Sequence, residues 1–197
     1  GKTDYEASPL NRSVKTYAPG NSWVGNQKGI ESNYFTNTLA DDVRVFSVTD
    51  ITDDWGTYFE TGIYTSGELF KSIIKDEHGK QVVEFKDKEG KIVLKKIQLS
   101  GSQDLGTGIG YSGWLSTIYI YDSFGRLRLV IQPRGVELLI NNGWNIDALN
   151  GDILNEQVFR YEYDSRGRMI RKKVPGAQEV RMVYDNRDRI VLTQDAI

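Results

Sequence analysis

Three features of this chain have residue types that could do chemistry. GTGIGYSG at 106–113 sets Gly108, Gly110 and Gly113 in a G-x-G-x-x-G spacing. In a dinucleotide site that spacing lets backbone N–H groups approach a pyrophosphate. Such a site needs a strand before the loop, a helix after it and an acid about 20 residues on. Here β-branched and aromatic WLSTIYIYD follows, so the segment reads as a flexible linker between sheet segments, and no cofactor is expected. His78 is the single histidine and sits in the turn DEHG at 76–79. Without a positioned nucleophile and orienting group it reads as an exposed loop residue. The acid pairs Asp41–Asp42, Asp53–Asp54 and Asp76–Glu77 lack the D-x-[DN]-x-[DN]-G spacing of a calcium loop. They read as solvated turn charges, with no metal. The 27 acids leave a glycosidase carboxylate pair open without recommending one.

Two further groups bear on binding. Arg166, Arg168, Arg171, Lys172 and Lys173 form a basic cluster. Alternate strand residues face opposite ways, so they make no single stripe, and Glu162, Asp164 and Glu179 are expected to pair with them. With a net charge of −2, no nucleic-acid partner is expected. Trp23, Trp55, Trp114, Trp144 and 11 tyrosines could stack on sugar rings, although in a β-rich chain aromatics mostly fill sheet packing. The chain has no cysteine, which removes disulfides and thiolate chemistry but places it in no compartment. No apolar run reaches the roughly 20 residues of a membrane-spanning helix. The chain opens GKTDYE, without methionine or leader, as expected of a trimmed chain from which any export signal would be cut away.

The elements that position these residues are strands and tight turns. Residues 1–62 are a polar lead-in in which VRVFSV (43–48) and TYFETGIY (57–64) read as strands. Residues 63–197 read as a hairpin region. There, ELFKSIIKDEHGKQVVEFKDKEGKIVLKKIQL gives three strands joined by turns at Asp76–Gly79 and Asp87–Gly90. A fuller spelling, Y-D-x-x-G-R, occurs as Tyr121, Asp122, Gly125 and Arg126, and again as Tyr163, Asp164, Gly167 and Arg168. A third copy, Tyr184, Asp185, Asp188 and Arg189, has aspartate in the glycine place. Aspartate at the first turn position accepts from backbone N–H groups ahead of it, and glycine takes the left-handed residue that closes the hairpin. A turn survives Asp188 at about 1 kcal/mol of backbone cost, whereas a shared reaction centre would not survive it so easily. The repeats are therefore structural joints with no catalytic residue. Pro133 and Gly143 bracket a helix with Val136, Leu139 and Ile140 on one face, and a second helical stretch follows Asp147. The fold class is mainly β: antiparallel hairpins forming a curved, twisted sheet or partial barrel, with one or two short helices near 134–156.

IYIYDSFGRLRLVIQP (118–133) and FRYEYDSRGRMIRKKVPG (159–176) resemble the YD repeats of Rhs-type bacterial proteins. The order of Gly62 to Leu69, Asp76 to Gly79, Glu84 to Lys95 and Val183 to Arg189 is similar to the N-terminal repeat region of large Bacteroides-type Rhs-like surface or secreted proteins. The resemblance covers about residues 60–197. It implies hairpins spiralling into a hollow shell, a secreted or cell-surface location, and a non-catalytic role as scaffold of a polymorphic toxin. The implied partners are further repeats and a C-terminal toxin in the rest of a longer chain. In isolation, exposed edge strands are expected to pair as a dimer. The alternative is a surface adhesion or glycan-binding module using exposed aromatics.

Overall fold

The computed structural model describes residues 1–52 and 54–195; Asp53 of the second acid pair lies outside them. The chain forms two compact units, one of Gly1–Val43 with Ile63–Ser116, the other of Arg44–Gly62 with the residues from Thr117 on. The architecture is mainly antiparallel β.

In the first unit β1 (Lys2–Tyr5), β2 (Ser13–Tyr17), β3 (Ile30–Thr36), β6 (Phe70–Lys75), β7 (Gln81–Lys86) and β8 (Ile92–Gln98) lie side by side in that order. A single helical turn, α1 (Asn21–Val24), follows Gly20 at a positive φ of 113°; at four residues it is too short to leave a periodic signature. β3 and β6 register Tyr34 opposite Ser72, and β6 and β7 register Ile73 opposite Val83. Burial follows strand parity: Gln81, Val83 and Phe85 of β7 point inward, while Val82, Glu84 and Lys86 are half-buried.

The second unit contains the ribbon of β4 (Arg44–Thr49) and β5 (Thr57–Ile63, whose last residue belongs to the first unit). Its main ladder runs β9 (Trp114–Tyr121, shared across the boundary), β10 (Leu127–Ile131), β11 (Val158–Tyr163), β12 (Met169–Lys173), β13 (Glu179–Tyr184) and β14 (Ile190–Asp195). Between β10 and β11 stand α2 (Pro133–Asn141) and α3 (Asp152–Glu156). Pro133 starts α2 and Gly143, at φ 64°, follows its end. Val136 and Leu139 are buried, but Ile140, expected on the same face, is exposed, because it lies 100° around the helix from Leu139. Both faces of WLSTIYIY are apolar. The fold buries Trp114, Ser116, Ile118 and Ile120 and leaves their neighbours half-buried. In β11 the polar parity is the inner one: Val158, Arg160 and Glu162 are buried, whereas Phe159, Tyr161 and Tyr163 remain half-exposed. Among the described residues no helix is long and apolar enough to cross a membrane.

Candidate functional site

The four D-x-x-G turns and the related Asp185–Asp188 turn share one hydrogen-bond scheme. In each, the fourth residue's N–H donates to the aspartate carbonyl, as from Gly79 to Asp76 at 3.0 Å and from Gly167 to Asp164 at 2.9 Å. The aspartate N–H donates in turn to the fifth residue's carbonyl, that of Lys80, Lys91, Arg126, Arg168 or Arg189, at 2.8–3.0 Å. Oδ1 of each aspartate accepts from the fifth residue's N–H at 2.8–3.0 Å. Gly79, Gly90, Gly125 and Gly167 have φ between 75° and 83°, and Asp188 has φ 60°. At Gly167 a Cβ would meet none of the described residues within 4 Å, and its positive φ selects glycine there. In the three Y-D turns the following arginine's Nε donates to Oδ2 of its aspartate at 2.7–2.8 Å.

These turns also hold one another. Arg126 donates to the carbonyl of Asp164 at 3.2 Å and its guanidinium lies 5.3 Å from the Tyr163 ring. The Tyr163 hydroxyl returns to the carbonyl of Leu127 at 3.0 Å. One hairpin later the pattern repeats: Arg168 reaches the carbonyl of Asp185 at 3.3 Å and lies 4.7 Å from the Tyr184 ring. Tyr184 then returns to Met169 at 2.8 Å. The tyrosine and arginine of the motif thus latch successive hairpins, a role invisible in any single copy. Asp188 accepts from Arg168 at 2.7 Å and Arg166 at 3.1 Å, contacts that a glycine there would lack. Tyr121 precedes the first of these turns at the end of β9.

Carboxyl acidity reflects these contacts. The Arg189 backbone N–H, then its guanidinium, hold the Asp185 carboxyl below its ordinary value. For Asp164 and Asp122 burial alone would raise the value, but hydrogen bonds from Arg168 and Arg126 outweigh it and both are lowered.

Each unit also buries a charged cluster. In the second, the Arg128 side chain is 1% exposed and pairs with Glu162, Asp122 and Asp50. Glu162 also accepts from the Gly56 N–H at 2.9 Å and the Tyr58 hydroxyl at 3.2 Å. Burial, then the Glu162 carboxylate, push the Tyr58 phenol up to about 12. Arg160 packs its guanidinium 4.4 Å from the Trp55 ring. In the first unit Lys71 and Lys96, both 1% exposed, gather Asp41, Asp104 and backbone carbonyls. Burial pushes the Lys96 ammonium down to about 8, against the pull of the Asp41 carboxylate. Its Nζ donates to the carbonyls of Asp41 and Ile109 at 2.9 and 2.8 Å. The segment expected as a flexible linker, 106–113, forms a wall of this cluster, and Gly108 packs so closely that a Cβ would stand 2.3 Å from Thr38 Oγ1. Of the acids expected as solvated, Asp41 is buried at 0% exposure. These clusters were not anticipated. The available signal was parity: Lys71 shares the inward side of its strand with Ile73, and Lys96 with Leu94.

A family described as a domain of unknown function, DUF6443, matches residues 1–36. No curated protein matches the chain. The match touches β1 to β3 and none of the turns.

The remaining candidates fall apart or weaken. His78 is exposed and lines an open groove of about 290 Å³ with Trp23, Asn26, Lys28 and Glu77. Trp114 and Trp144 are buried, so neither presents a ring to a ligand. In the basic cluster Asp164 pairs with Arg168 as expected. Glu162 turns inward to Arg128 and Glu179 pairs with Arg181 instead, while Lys173 donates to the carbonyls of Asn155 and Ala177. Among the described residues no group of three or more His, Cys, Asp or Glu side chains is set to hold a metal.

Proposed function

We propose that this chain is a non-catalytic scaffold segment of an exported bacterial protein, built from repeats of the Rhs/YD type and belonging to the wall of a β-shell. The latch of Arg126 on Tyr163 and Asp164, repeated by Arg168 on Tyr184 and Asp185, carries the reading. It commits the side chains of Arg126, Tyr163, Arg168 and Tyr184 to joining hairpins rather than to a substrate. The partners of such a segment are further repeats and a C-terminal toxin of a longer chain, on the cell surface or outside the cell.

The last Y-D turn supports this. Arg189 is bound to Asp185 but its side chain is 68% exposed, and β14 is exposed along its length with Ile190, Val191 and Leu192 at 55–61%. An exposed apolar edge strand is a template for another strand, and a further Y-D hairpin would offer Arg189 a tyrosine ring. The test appends a copy of residues 158–173 after the chain and follows hydrogen exchange. Amides of β14 should become protected, and unchanged exchange would overturn the scaffold reading.

A glycan-binding module is the second reading, favoured by the groove where Trp23 and His78 meet Asn26, Lys28 and Glu77. Aromatic face plus polar rim suits a sugar. Binding on a glycan array that is lost in Trp23→Ala would support it, and a silent array would remove it.

A further inference from the structure

The first unit's cluster has a geometry beyond that of an ion pair. The side chains of Lys71 on β6, Asp41 in the short turn Leu39–Asp41, and Asp104 in the loop after β8 are at most 1% exposed. Nζ of Lys71 donates to Oδ1 of Asp41 at 2.7 Å. It also lies 2.6 Å from Oδ2 of Asp104, yet among the described residues that oxygen takes part in no hydrogen bond. The approach is close but off the hydrogen-bonding direction. The other oxygen of Asp104, Oδ1, accepts from the Gly106 N–H at 2.8 Å and the Gly108 N–H at 3.3 Å. Two backbone donors aimed at one carboxyl oxygen are the arrangement that stabilises a developing oxyanion. Asp41 is held in place by the N–H and hydroxyl of Thr38 on its Oδ2, at 2.8 and 3.2 Å. The Phe85 ring lies 5.5 Å from Lys71 Nζ, and Lys96 closes the cluster on the backbone side.

We propose that Lys71 and Asp104 condense to an intramolecular isopeptide bond, with Asp41 as the proton carrier. The Lys71 ammonium passes a proton to Asp41, which delivers it to Oδ2 of Asp104. The freed amine attacks Cγ, and negative charge gathers on Oδ1 beneath the Gly106 and Gly108 N–H groups. Asp41 takes a second proton from nitrogen and returns it to Oδ2, which leaves as water as the C–N bond is completed. Ammonium plus carboxylate become amide plus water, Asp41 ends as it began, and no co-reactant is needed. Fixed neighbours supply the high effective concentration of an intramolecular step. The product replaces a costly buried ion pair with a neutral amide and cross-links a chain that has no cysteine. This inference is independent of the scaffold and glycan readings, since it concerns only the chain's own side chains.

Intact mass spectrometry of the purified chain in denaturing solvent tests it. The mass should fall below the sequence mass by one water, and peptide mapping should find the Lys71 and Asp104 peptides joined. Asp104→Asn should lose ammonia instead, because the leaving group becomes the side-chain amide nitrogen. Asp41→Asn, checked for β structure by circular dichroism, should keep its full mass; a deficit persisting there would overturn the role of Asp41. A folded wild-type chain at full sequence mass would overturn the proposal outright.

Discussion

Replacing Glu162 with glutamine should lower stability by about 3 kcal/mol, and the structure supplies the bookkeeping. The Arg128 guanidinium is 1% exposed and the Glu162 carboxylate 8% exposed, so the pair lies beyond solvent screening. Removing one partner of a buried pair costs about 3–5 kcal/mol, because the survivor's charge stays buried. Two features pull the figure toward the lower end. Arg128 keeps Asp122 at 3.4 Å and the exposed Asp50, and the glutamine carbonyl can still accept from the Gly56 N–H or the Tyr58 hydroxyl. For a chain of this size 1 kcal/mol moves the melting temperature by roughly 2–4 °C, giving a fall of roughly 6–12 °C. Thermal unfolding by circular dichroism at neutral pH measures it. The double replacement Arg128→Met with Glu162→Leu should recover much of the loss, since an apolar pair carries no desolvation penalty. If Glu162→Gln melts within about 2 °C of wild type, the reasoning from an uncompensated buried charge is wrong.

Other expectations follow from the turns, the titrating groups and the edge. Gly167→Val should cost about 1 kcal/mol or more through forced positive φ, while Asp164→Asn should cost less because the amide oxygen still accepts; equal melting temperatures for wild type and Gly167→Val would contradict the turn assignment. Lys96, depressed from 10.5 to about 8, should make stability rise as pH climbs from about 8 to 10.5, because there the unfolded chain binds the extra proton. Tyr58, raised from 10 to about 12, should make stability fall across pH 10 to 12 for the opposite reason. Urea titrations across this range, repeated on Lys96→Met and Tyr58→Phe, would separate the two slopes, and a pH-independent wild type would refute both. The exposed β14 edge should pair two copies at high concentration, and light scattering showing a monomer throughout would rule that out.

The turns were legible because their chemistry is local. An aspartate carboxylate, two or three amides ahead of it and one left-handed residue lie within five positions, so spacing alone specifies the geometry. The helix at Pro133–Asn141 was legible for a similar reason, through a proline that suits its start and a glycine beyond its end. Even Asp188 was readable as a tolerated substitute, though not that its carboxylate would meet Arg166 and Arg168.

What the sequence alone determined, then, is where the backbone reverses and that strands run between the reversals. Tertiary structure decided which face of each strand turns inward. Period-two alternation gives no preference when both parities are apolar, as in WLSTIYIY, and gives the wrong hint in β11, where arginine and glutamate go in. It also decided that Lys71, Asp41 and Asp104 meet, since partners separated by 30 or more positions are brought together by strand register and loop closure. Short-range spelling carries no information about either.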